Sequence, residues 1–337
     1  MTLVKTCGKL YWAGEYAILE PGQLALIKAI PIYMTAEITA SVDYRLYSDM
    51  FTYSVDMRPD SSYALIQETV ALVEEYLTIQ GIKLHHFSLD IRGKMEREGK
   101  KFGLGSSGSV VVLVIKAMLA FYERPADREI LFKLASAVLL KRGDNGSMGD
   151  IACIVSENLV LYQSFDREKV ADWLEKEELQ AVLDRDWGFS IRSVEPALKF
   201  DFLVGWTKEV AVSSHMVKQI KDNMNSSFLQ ASKETVANLV KALQTGHEEK
   251  VIEQLEQASR ILEDLSSDIY TPSLRQLKKA SRGLKAVAKS SGAGGGDCGI
   301  ALSFDQDSTT LLKKRWADLG IELLHQERIG HDDKSEG

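Results

Sequence analysis

The segment from Val110 to Phe121 is apolar on almost every side, with Lys116 as its one charged residue. A helix that is apolar all round has to be buried, so this segment predicts a helix enclosed by the rest of the fold. With 337 residues, 45% of them hydrophobic, the chain can form one large core or two medium ones. The glycine- and serine-rich run Gly103–Ser109 opens directly into this helix, which makes its start the first candidate for a site.

Strand signals dominate the first half of the chain, and helix signals dominate much of the second. The predicted strands are Leu3–Cys7, Leu24–Ile38 with a break at Pro31, Phe87–Ile91, Ile151–Val155, Leu159–Tyr162, Phe189–Val194, Phe200–Gly205, Cys298–Ser303 and Ile321–Leu324. The predicted helices are Tyr63–Leu77, Val110–Phe121, Ile130–Leu140, a nearly continuous stretch from Val217 to Ala288 interrupted near Gly246 and Pro272, and Thr309–Leu319. Strands, then helices, then a strand that must return to a sheet predict an α+β fold of two lobes with a cleft between them.

Charge and composition exclude several classes of function. A net charge of −7 argues against a nucleic-acid or anionic-membrane surface, and no apolar run approaches the roughly 20 residues that span a bilayer. Met1–Lys9 has no signal-peptide core, so we expect a cytoplasmic protein. The three cysteines, Cys7, Cys153 and Cys298, form no CxxC pair, and we expect them to be buried and to form neither a disulfide nor a zinc site. The sequence leaves no mark of oligomeric state and is compatible with a homodimer.

The run Gly103–Ser109 has the chemistry of a phosphate-binding loop. Glycines let the backbone approach a ligand closely, and the free amides and dipole at a helix start favour an anion. Its serine hydroxyls could hold phosphate oxygens or a magnesium ion, and Ser109 or a serine just before it could cap the helix. Two other interpretations stay open: an ordinary capped turn, and a dinucleotide fingerprint GxGxxG, although the preceding Gly93–Lys101 is polar and lacks the strand that a nicotinamide-binding site requires.

Two further glycine-containing segments accompany this loop. Gly8–Tyr16 places Lys9 between glycines and beside tyrosines and a glutamate, where it could neutralise a transferring phosphoryl group or lower the pKa of a neighbouring carboxylate. Ser290–Cys298 carries four glycines within five positions before an apolar strand. A surface turn and a flexible linker are the alternatives, but a glycine run inside a domain favours close approach of the backbone to a ligand.

Taken in order, GKLYWAGEYAIL (8–19), GLGSSGS (103–109), GSMGDIA (146–152) and SGAGGGDC (291–298) resemble the motifs of the GHMP kinases. The resemblance covers essentially the whole chain. It implies an α+β, two-lobed fold with a nucleotide-binding lobe at residues 1–190, a helix-rich lobe at residues 191–330 and an active site in the cleft. It also implies an ATP- and Mg²⁺-dependent phosphotransferase.

The resemblance assigns a role to each candidate residue. Asp150 corresponds to the catalytic aspartate, with Lys9 beside it, and Ser107 is the candidate magnesium ligand. The residues expected at the ATP phosphates are Gly103, Leu104, Gly105, Ser106, Ser107, Gly108 and Ser109. The residues expected at the acceptor are Lys9, Tyr16, Lys101, Ser147, Asp150, Arg192, Ser213, His215, Ser291, Ala293 and Gly294.

Within the family, GGGDCGIA and the segment Gly205–Thr207 with Ser213–His215 are similar to members that act on 5-phosphomevalonate. A phosphate acceptor is already largely ionised at neutral pH, so a cationic clamp matters more than a strong base. A kinase for mevalonate, a decarboxylase of its diphosphate and a non-catalytic relative remain as alternatives. The chain departs from the family at Gly108, where many members have alanine, and at Ala137–Leu140, which is apolar where a second acidic magnesium ligand is expected; Asp144 is near but out of register.

Overall fold

The computed structural model describes residues 1–125, 127–144, 146–209, 220 and 223–330. Thirteen strands are present in that part: β1 Thr2–Ala13, β2 Leu24–Ala40, β3 Arg45–Ser48, β4 Ser54–Val55, β5 Phe87–Arg92, β6 Glu96–Arg97, β7 Lys100–Lys101, β8 Leu159–Gln163, β9 Ser190–Ser193, β10 Phe200–Trp206, β11 Ala286–Ser290, β12 Cys298–Ser303 and β13 Glu322–Ile329. The α-helices of the same part are α1 Ala64–Ile79, α2 Ser106–Phe121, α3 Arg128–Lys141, α4 Gly149–Ser156, α5 Arg167–Lys176, α6 Leu179–Leu183, α7 Ser226–Thr245, α8 Glu248–Leu265, α9 Pro272–Lys279 and α10 Gln306–Asp318. A 3₁₀ turn covers Ala17–Leu19.

The strands form two main sheets and one small hairpin. The first sheet has seven strands in the order β4-β3-β5-β2-β8-β9, with β1 paired to β2, and the second has the antiparallel order β11-β12-β10-β13. Strand β2 is the hub of the first sheet because it pairs with β1, β5 and β8. The α+β fold expected from the order of strands and helices is therefore confirmed.

Strand β2 passes through Pro31, where the sequence predicted a break. The β1–β2 register shifts between Cys7 and Gly8, so the pairing Cys7 with Tyr33 is followed by Gly8 with Ile30. Pro31 falls in this irregularity, one of the few places where a sheet tolerates a residue without an N–H donor. The bulge bends the strand pair just before Lys9.

Helix α2 is the enclosed helix that the apolar run predicted. It packs against β1, β2, α1, α3 and α4, and its buried residues include Val111–Ile115 and Ala117–Leu119. The second sheet joins the same core through Trp12 of β1, whose ring lies 5.9 Å from Phe200 and 5.2 Å from Phe202. Helix α8 packs against α7 and also contacts β1 and β11. The two sheets are thus connected through residues that adjoin the glycine segments.

Two local predictions were wrong. Ile151–Val155 lies in helix α4 rather than in a strand, and residues 286–288 begin strand β11 rather than ending a helix. The strand predicted at Leu3–Cys7 is longer than expected and continues to Ala13, through the segment for which a surface turn was the alternative. In each case a short local pattern was overruled by contacts made with distant parts of the chain.

The division at residue 190 stays a prediction, and strand β9 extends the first sheet to Ser193. Within the described ranges, no helix combines the length and the hydrophobicity required to cross a bilayer. Cys7, Cys153 and Cys298 are buried free thiols, as expected. The predicted tail at residues 332–337 lies outside the described residues.

Candidate active site

The glycine-serine loop forms the first turn of α2. Gly105 adopts a left-handed conformation, with φ 80° and ψ 43°, immediately before the helix begins at Ser106. No side chain caps this start in the described structure, so its first amides point outwards, as an anion site requires. The expected serine cap is therefore wrong. Ser109 is fully buried and donates its hydroxyl to the Cys7 carbonyl at 2.8 Å, so it ties the helix to β1 rather than facing a ligand.

Lys9 lies directly beside this loop. Its backbone N–H donates to the Leu104 carbonyl at 3.0 Å, and its ammonium lies 5.3 Å from the centre of the Tyr11 ring. A Cβ on Gly105 would stand 2.8 Å from Cε of Lys9. The glycine is therefore required twice, by its left-handed backbone and by the lysine stem that passes over it.

Asp150 faces the same turn from the first turn of α4. A Cβ on Gly108 would stand 2.6 Å from its Oδ2, and a Cβ on Gly105 would stand 3.5 Å from its Cβ. Burial raises the pKa of Asp150 above its ordinary value, while the charge of Lys9 and the amide of Ile151 act in the opposite direction. Because Gly105 and Gly108 carry no side chains, the start of α2 leaves the space between Lys9 and Asp150 open.

Ser147, Tyr11 and Tyr162 form a hydrogen-bonded group behind Asp150. The hydroxyls of Tyr11 and Ser147 lie 3.0 Å apart, and Tyr162 donates to the Ser147 carbonyl at 3.0 Å. A Cβ on Gly149 would stand 2.4 Å from the Tyr11 hydroxyl, so the glycine allows the tyrosine to reach this position. Burial raises the pKa of the Tyr11 phenol, which stays protonated at neutral pH.

The third glycine segment contacts the first. Ser291 donates its hydroxyl to the Tyr11 carbonyl at 2.8 Å, and Tyr16 donates to the Ala293 carbonyl at 2.5 Å. A Cβ on Gly294 would stand 2.4 Å from the Ile269 carbonyl, which explains this glycine. Ser291, Ala293 and Tyr16, predicted near the acceptor, are therefore brought together.

The end of the third segment also contacts the phosphate loop. A Cβ on Gly103 would stand 2.6 Å from Oδ2 of Asp297, and the Cys298 thiol donates to the Phe102 carbonyl at 3.1 Å. The Asp297 backbone pairs with Thr207 and Glu209, its carbonyl accepting from Thr207 and its N–H donating to Glu209. All three glycine segments therefore meet around one location.

Not every candidate lies at this location. Lys101 is an exposed residue of the β6–β7 hairpin that leads into the loop. Arg192 is exposed on β9 and lines a separate groove of about 300 Å³ with Val194, Val240 and Lys241. Ser213 and His215 lie outside the described residues. Lys9 and Asp150 therefore lie together at the loop, whereas Arg192 lies in a different groove.

The sequence did not single out the buried ion pair between Glu15 and Lys289. Their charged groups are 2.6 Å apart, and the side chains are 3% and 1% exposed. Lys289 lies on β11, directly after the stretch predicted as helix up to Ala288, and no strand was predicted there, so its burial gave no local signal. Asp297, whose carboxylate lies beside Gly103, also gave no separate signal, because it is part of the glycine motif SGAGGGDC.

The oxygen-bearing side chains beside the loop decide whether the site can hold a magnesium ion. No group of three His, Cys, Asp or Glu residues in the described ranges could hold a metal. The exposed Ser107 hydroxyl and the Asp150 carboxylate are oxygen donors at the start of α2, and the Asp297 carboxylate lies at Gly103, the other end of the loop. Two protein oxygens fit Mg²⁺, which usually keeps waters and binds substrate phosphates in addition to one or two protein ligands.

Comparisons with known proteins agree with this geometry. Residues 64–158 match the model of the GHMP kinases N terminal domain, and residues 239–322 match that of the GHMP kinases C terminal domain. The phosphomevalonate kinase of Streptomyces sp. (strain CL190) is 29% identical over 93% of this chain and 93% of its own length.

Solved structures extend the comparison. Streptococcus pneumoniae phosphomevalonate kinase in complex with phosphomevalonate and AMPPNP is 72% identical, covers 98% of this chain and 100% of its own, and superposes with a TM-score of 0.97. Methanococcus jannaschii mevalonate kinase, at 18% identity and 98% coverage of both chains, shares the fold with a TM-score of 0.73. The chain therefore belongs to the GHMP kinase family and, within it, to the phosphomevalonate kinases.

Proposed function

We propose that this chain transfers the γ-phosphoryl group of ATP to 5-phosphomevalonate, giving 5-diphosphomevalonate and ADP. The observation that carries the proposal is the meeting of Lys9 and Asp150 at the glycine-lined start of α2. The relative that is 72% identical was solved with phosphomevalonate and an ATP analogue, which supports this choice of both substrates.

Lys9 offsets the repulsion between the two anionic groups that react. The attacking phosphate and the transferred phosphoryl group are both anionic, so their approach needs a cation between them. Lys9 is 8% exposed, and its backbone is fixed to Leu104 of the loop. Its ammonium is thereby held beside the phosphates at little cost in side-chain entropy.

Asp150 orients the acceptor rather than supplying a strong base. The acceptor phosphate has a second pKa near 6, so the attacking oxygen is largely deprotonated before it reacts. The charge of Lys9 opposes the rise in the pKa of Asp150 that burial causes. The prediction is that kcat rises with pH through the ionisation of the acceptor, with Asp150→Asn retaining this profile at a lower rate; a profile that loses its acidic limb in Asp150→Asn would instead make Asp150 the base.

The open amides at the start of α2 bind the ATP phosphates. A magnesium ion held by Ser107, Asp150 and the phosphates would neutralise charge that develops during transfer. Gly103, Gly105 and Gly108 keep the turn free of side chains, and Leu104 holds it to β1. Ser106 contributes through its backbone amide, whereas Ser109 is assigned a structural role.

The acceptor side is formed by residues that the first and third segments bring together. Ser147 and Tyr16 contribute side chains, and Ser291, Ala293 and Gly294 contribute mainly backbone. Lys101 and Arg192 stay predictions, as do Ser213 and His215. A cytoplasmic location and a homodimer also stay predictions.

The test is ADP release from ATP and Mg²⁺ with 5-phosphomevalonate, mevalonate, homoserine and galactose offered in parallel. Turnover with 5-phosphomevalonate alone is the expected result. Turnover with another acceptor would move the substrate within the family, and ATP binding without turnover of any of the four would favour a non-catalytic relative.

A further inference from the structure

The buried pair of Glu15 and Lys289 takes no part in the chemistry proposed above. The ammonium of Lys289 lies 2.6 Å from the Glu15 carboxylate and also donates to the Ser290 carbonyl at 2.6 Å. Burial lowers the pKa of Lys289, and the charge of Glu15 opposes this shift. A buried ion pair contributes less to stability than apolar packing of similar volume. Stability alone therefore does not explain why these two charged residues lie here.

The pair connects two of the three glycine segments. Glu15 lies in the first segment, between Gly14 and Tyr16, and Lys289 lies one residue before the end of β11, the strand that leads into the third. The bond from Lys289 fixes the Ser290 carbonyl, and the Ser290 N–H donates to the Tyr270 hydroxyl at 3.2 Å. Both backbone polar groups of Ser290, the residue immediately before Ser291, are therefore held.

The residues that follow depend on this anchoring. Ser291 donates its hydroxyl to the Tyr11 carbonyl, and Ala293 accepts the Tyr16 hydroxyl. These contacts set the distance between the two segments on the acceptor side. The contact of the third segment with the phosphate loop lies at its far end, where the Asp297 carboxylate approaches Gly103.

The surroundings of the pair exclude a direct role at the substrates. A cavity of about 10 Å³ beside Glu15 is lined by Gly14, Ser232, Thr235 and apolar side chains of α8. This volume suits about one water molecule, with hydroxyls available to bind it. The pair is thus enclosed by protein on all sides.

We propose that Glu15 and Lys289 are positioning residues: their charged contact holds the Ser290 carbonyl and so places Ser291–Gly294 for binding of the acceptor. This inference rests on the proposed function. Its consequence is specific. Loss of the contact should raise KM for 5-phosphomevalonate about tenfold, since small displacements of binding groups have large effects, while KM for ATP changes by less than about twofold.

A set of variants separates positioning from stability. Lys289→Met and Glu15→Gln each break the pair, and the double variant Glu15→Met with Lys289→Met replaces both charges by apolar side chains of similar length. Removing one partner of a buried pair is strongly destabilising, whereas replacing both by apolar groups often restores stability. Lys176→Met is the matched control, because it breaks an ion pair with Asp172 whose side chains are 66% and 51% exposed.

The measurements are the melting temperature and, for each substrate with the other saturating, kcat and KM. We expect both single variants to melt earlier, the double variant to recover the melting temperature, and all three to keep the raised KM for 5-phosphomevalonate. A double variant that recovers both quantities would overturn the proposal, because the pair would then be a structural element only. If a single variant fails to fold, the double variant decides alone.

The wild-type chain distinguishes a failure of this inference from a failure of the proposed function. Turnover of 5-phosphomevalonate by the wild type, with unchanged KM values in the double variant, would overturn the inference and leave the function intact. If the wild type prefers another acceptor, the proposed function fails, and the same comparison is made with that acceptor.

Discussion

The first glycine segment contributes one member to each of two lysine–carboxylate pairs, and the pairs differ in how closely their charged groups approach. Lys289 and Glu15 are in contact at 2.6 Å and fully enclosed. The charge of Lys9 acts to lower the pKa of Asp150, yet among the described residues no ion pair within 4.0 Å joins them. Lys289 and Glu15 are the closed pair. Lys9 and Asp150 are the open pair, because a gap bordered by Gly105 and Gly108 remains between them.

The difference shows how the first segment separates structure from chemistry. A closed pair satisfies its charges internally and can only hold its neighbours in place. An open pair keeps one cation and one carboxylate available to a third group, and its glycine border admits a phosphate. Lys9 and Glu15 are six positions apart along the chain, so one segment supplies both functions.

The largest expected effect comes from removing either member of the open pair. Lys9→Ala and Asp150→Ala should each lower kcat by about 10²-fold or more, because each removes charge placed for the transition state. Steady-state kinetics and circular dichroism test this, with Lys5→Ala, an exposed lysine of the same strand, as the control. Normal turnover in both variants would show that the gap is not the active site.

A smaller effect should follow from narrowing the gap. Gly108→Ala places a Cβ 2.6 Å from Oδ2 of Asp150, and the carboxylate, as the end of a flexible side chain, has to move. Displacement of a catalytic group on this scale should lower kcat about tenfold. Adding Gly108→Ala to Asp150→Ala should then lower kcat no further, and an additional loss would mean that the alanine acts on the loop itself.

The closed pair and the open pair were not equally visible in the sequence. Lys9, Asp150 and the loop occur in short motifs whose spacing survives any error in secondary structure, so they could be predicted although Ile151–Val155 was assigned to a strand. Lys289 had no such signal. Its partner is 274 positions away, and the strand that carries it was not predicted.

Burial also separates two loop residues that the sequence treated alike. Ser107 and Ser109 have the same side chain two positions apart, and the sequence treated both as phosphate ligands. In the structure Ser107 is exposed, whereas the Ser109 hydroxyl bonds to Cys7, 102 positions earlier in the chain. Such long-range contacts cannot be deduced from local periodicity, which predicted α1, α2, α3 and β5 well.

The two serines offer the next test. Ser107→Ala should raise the Mg²⁺ concentration for half-maximal activity about fivefold, the effect of losing one polar contact worth about 1 kcal/mol. Ser109→Ala should leave this concentration unchanged and lower the melting temperature, because a buried hydrogen bond to β1 is lost. Titrations of both variants with Mg²⁺ test the assignment, and an unchanged response in Ser107→Ala would remove this residue from the metal site.

The smallest expected effect concerns stability, and it has opposite signs for the two pairs. Breaking the closed pair should destabilise the fold, but Asp150→Asn should stabilise it at neutral pH by roughly 1–3 °C in melting temperature. The reason is that burial, which Lys9 only partly opposes, raises the pKa of Asp150 above its ordinary value of 3.8. The ionised carboxylate is therefore less favourable in the folded chain than in water.

The sign of the pH dependence follows from this shift. Between the unfolded and the raised folded pKa the folded chain binds more protons, so the contribution of Asp150 to stability falls as the pH rises through that window. Above it the penalty is constant, and asparagine removes it. Melting curves of the wild type and Asp150→Asn should thus differ more at pH 8 than at pH 4, with Asp172→Asn, at an exposed ion pair, as the control. A variant that melts earlier than the wild type at pH 8 would mean that attraction to Lys9 outweighs burial, and the open pair would then hold the fold together as the closed pair does.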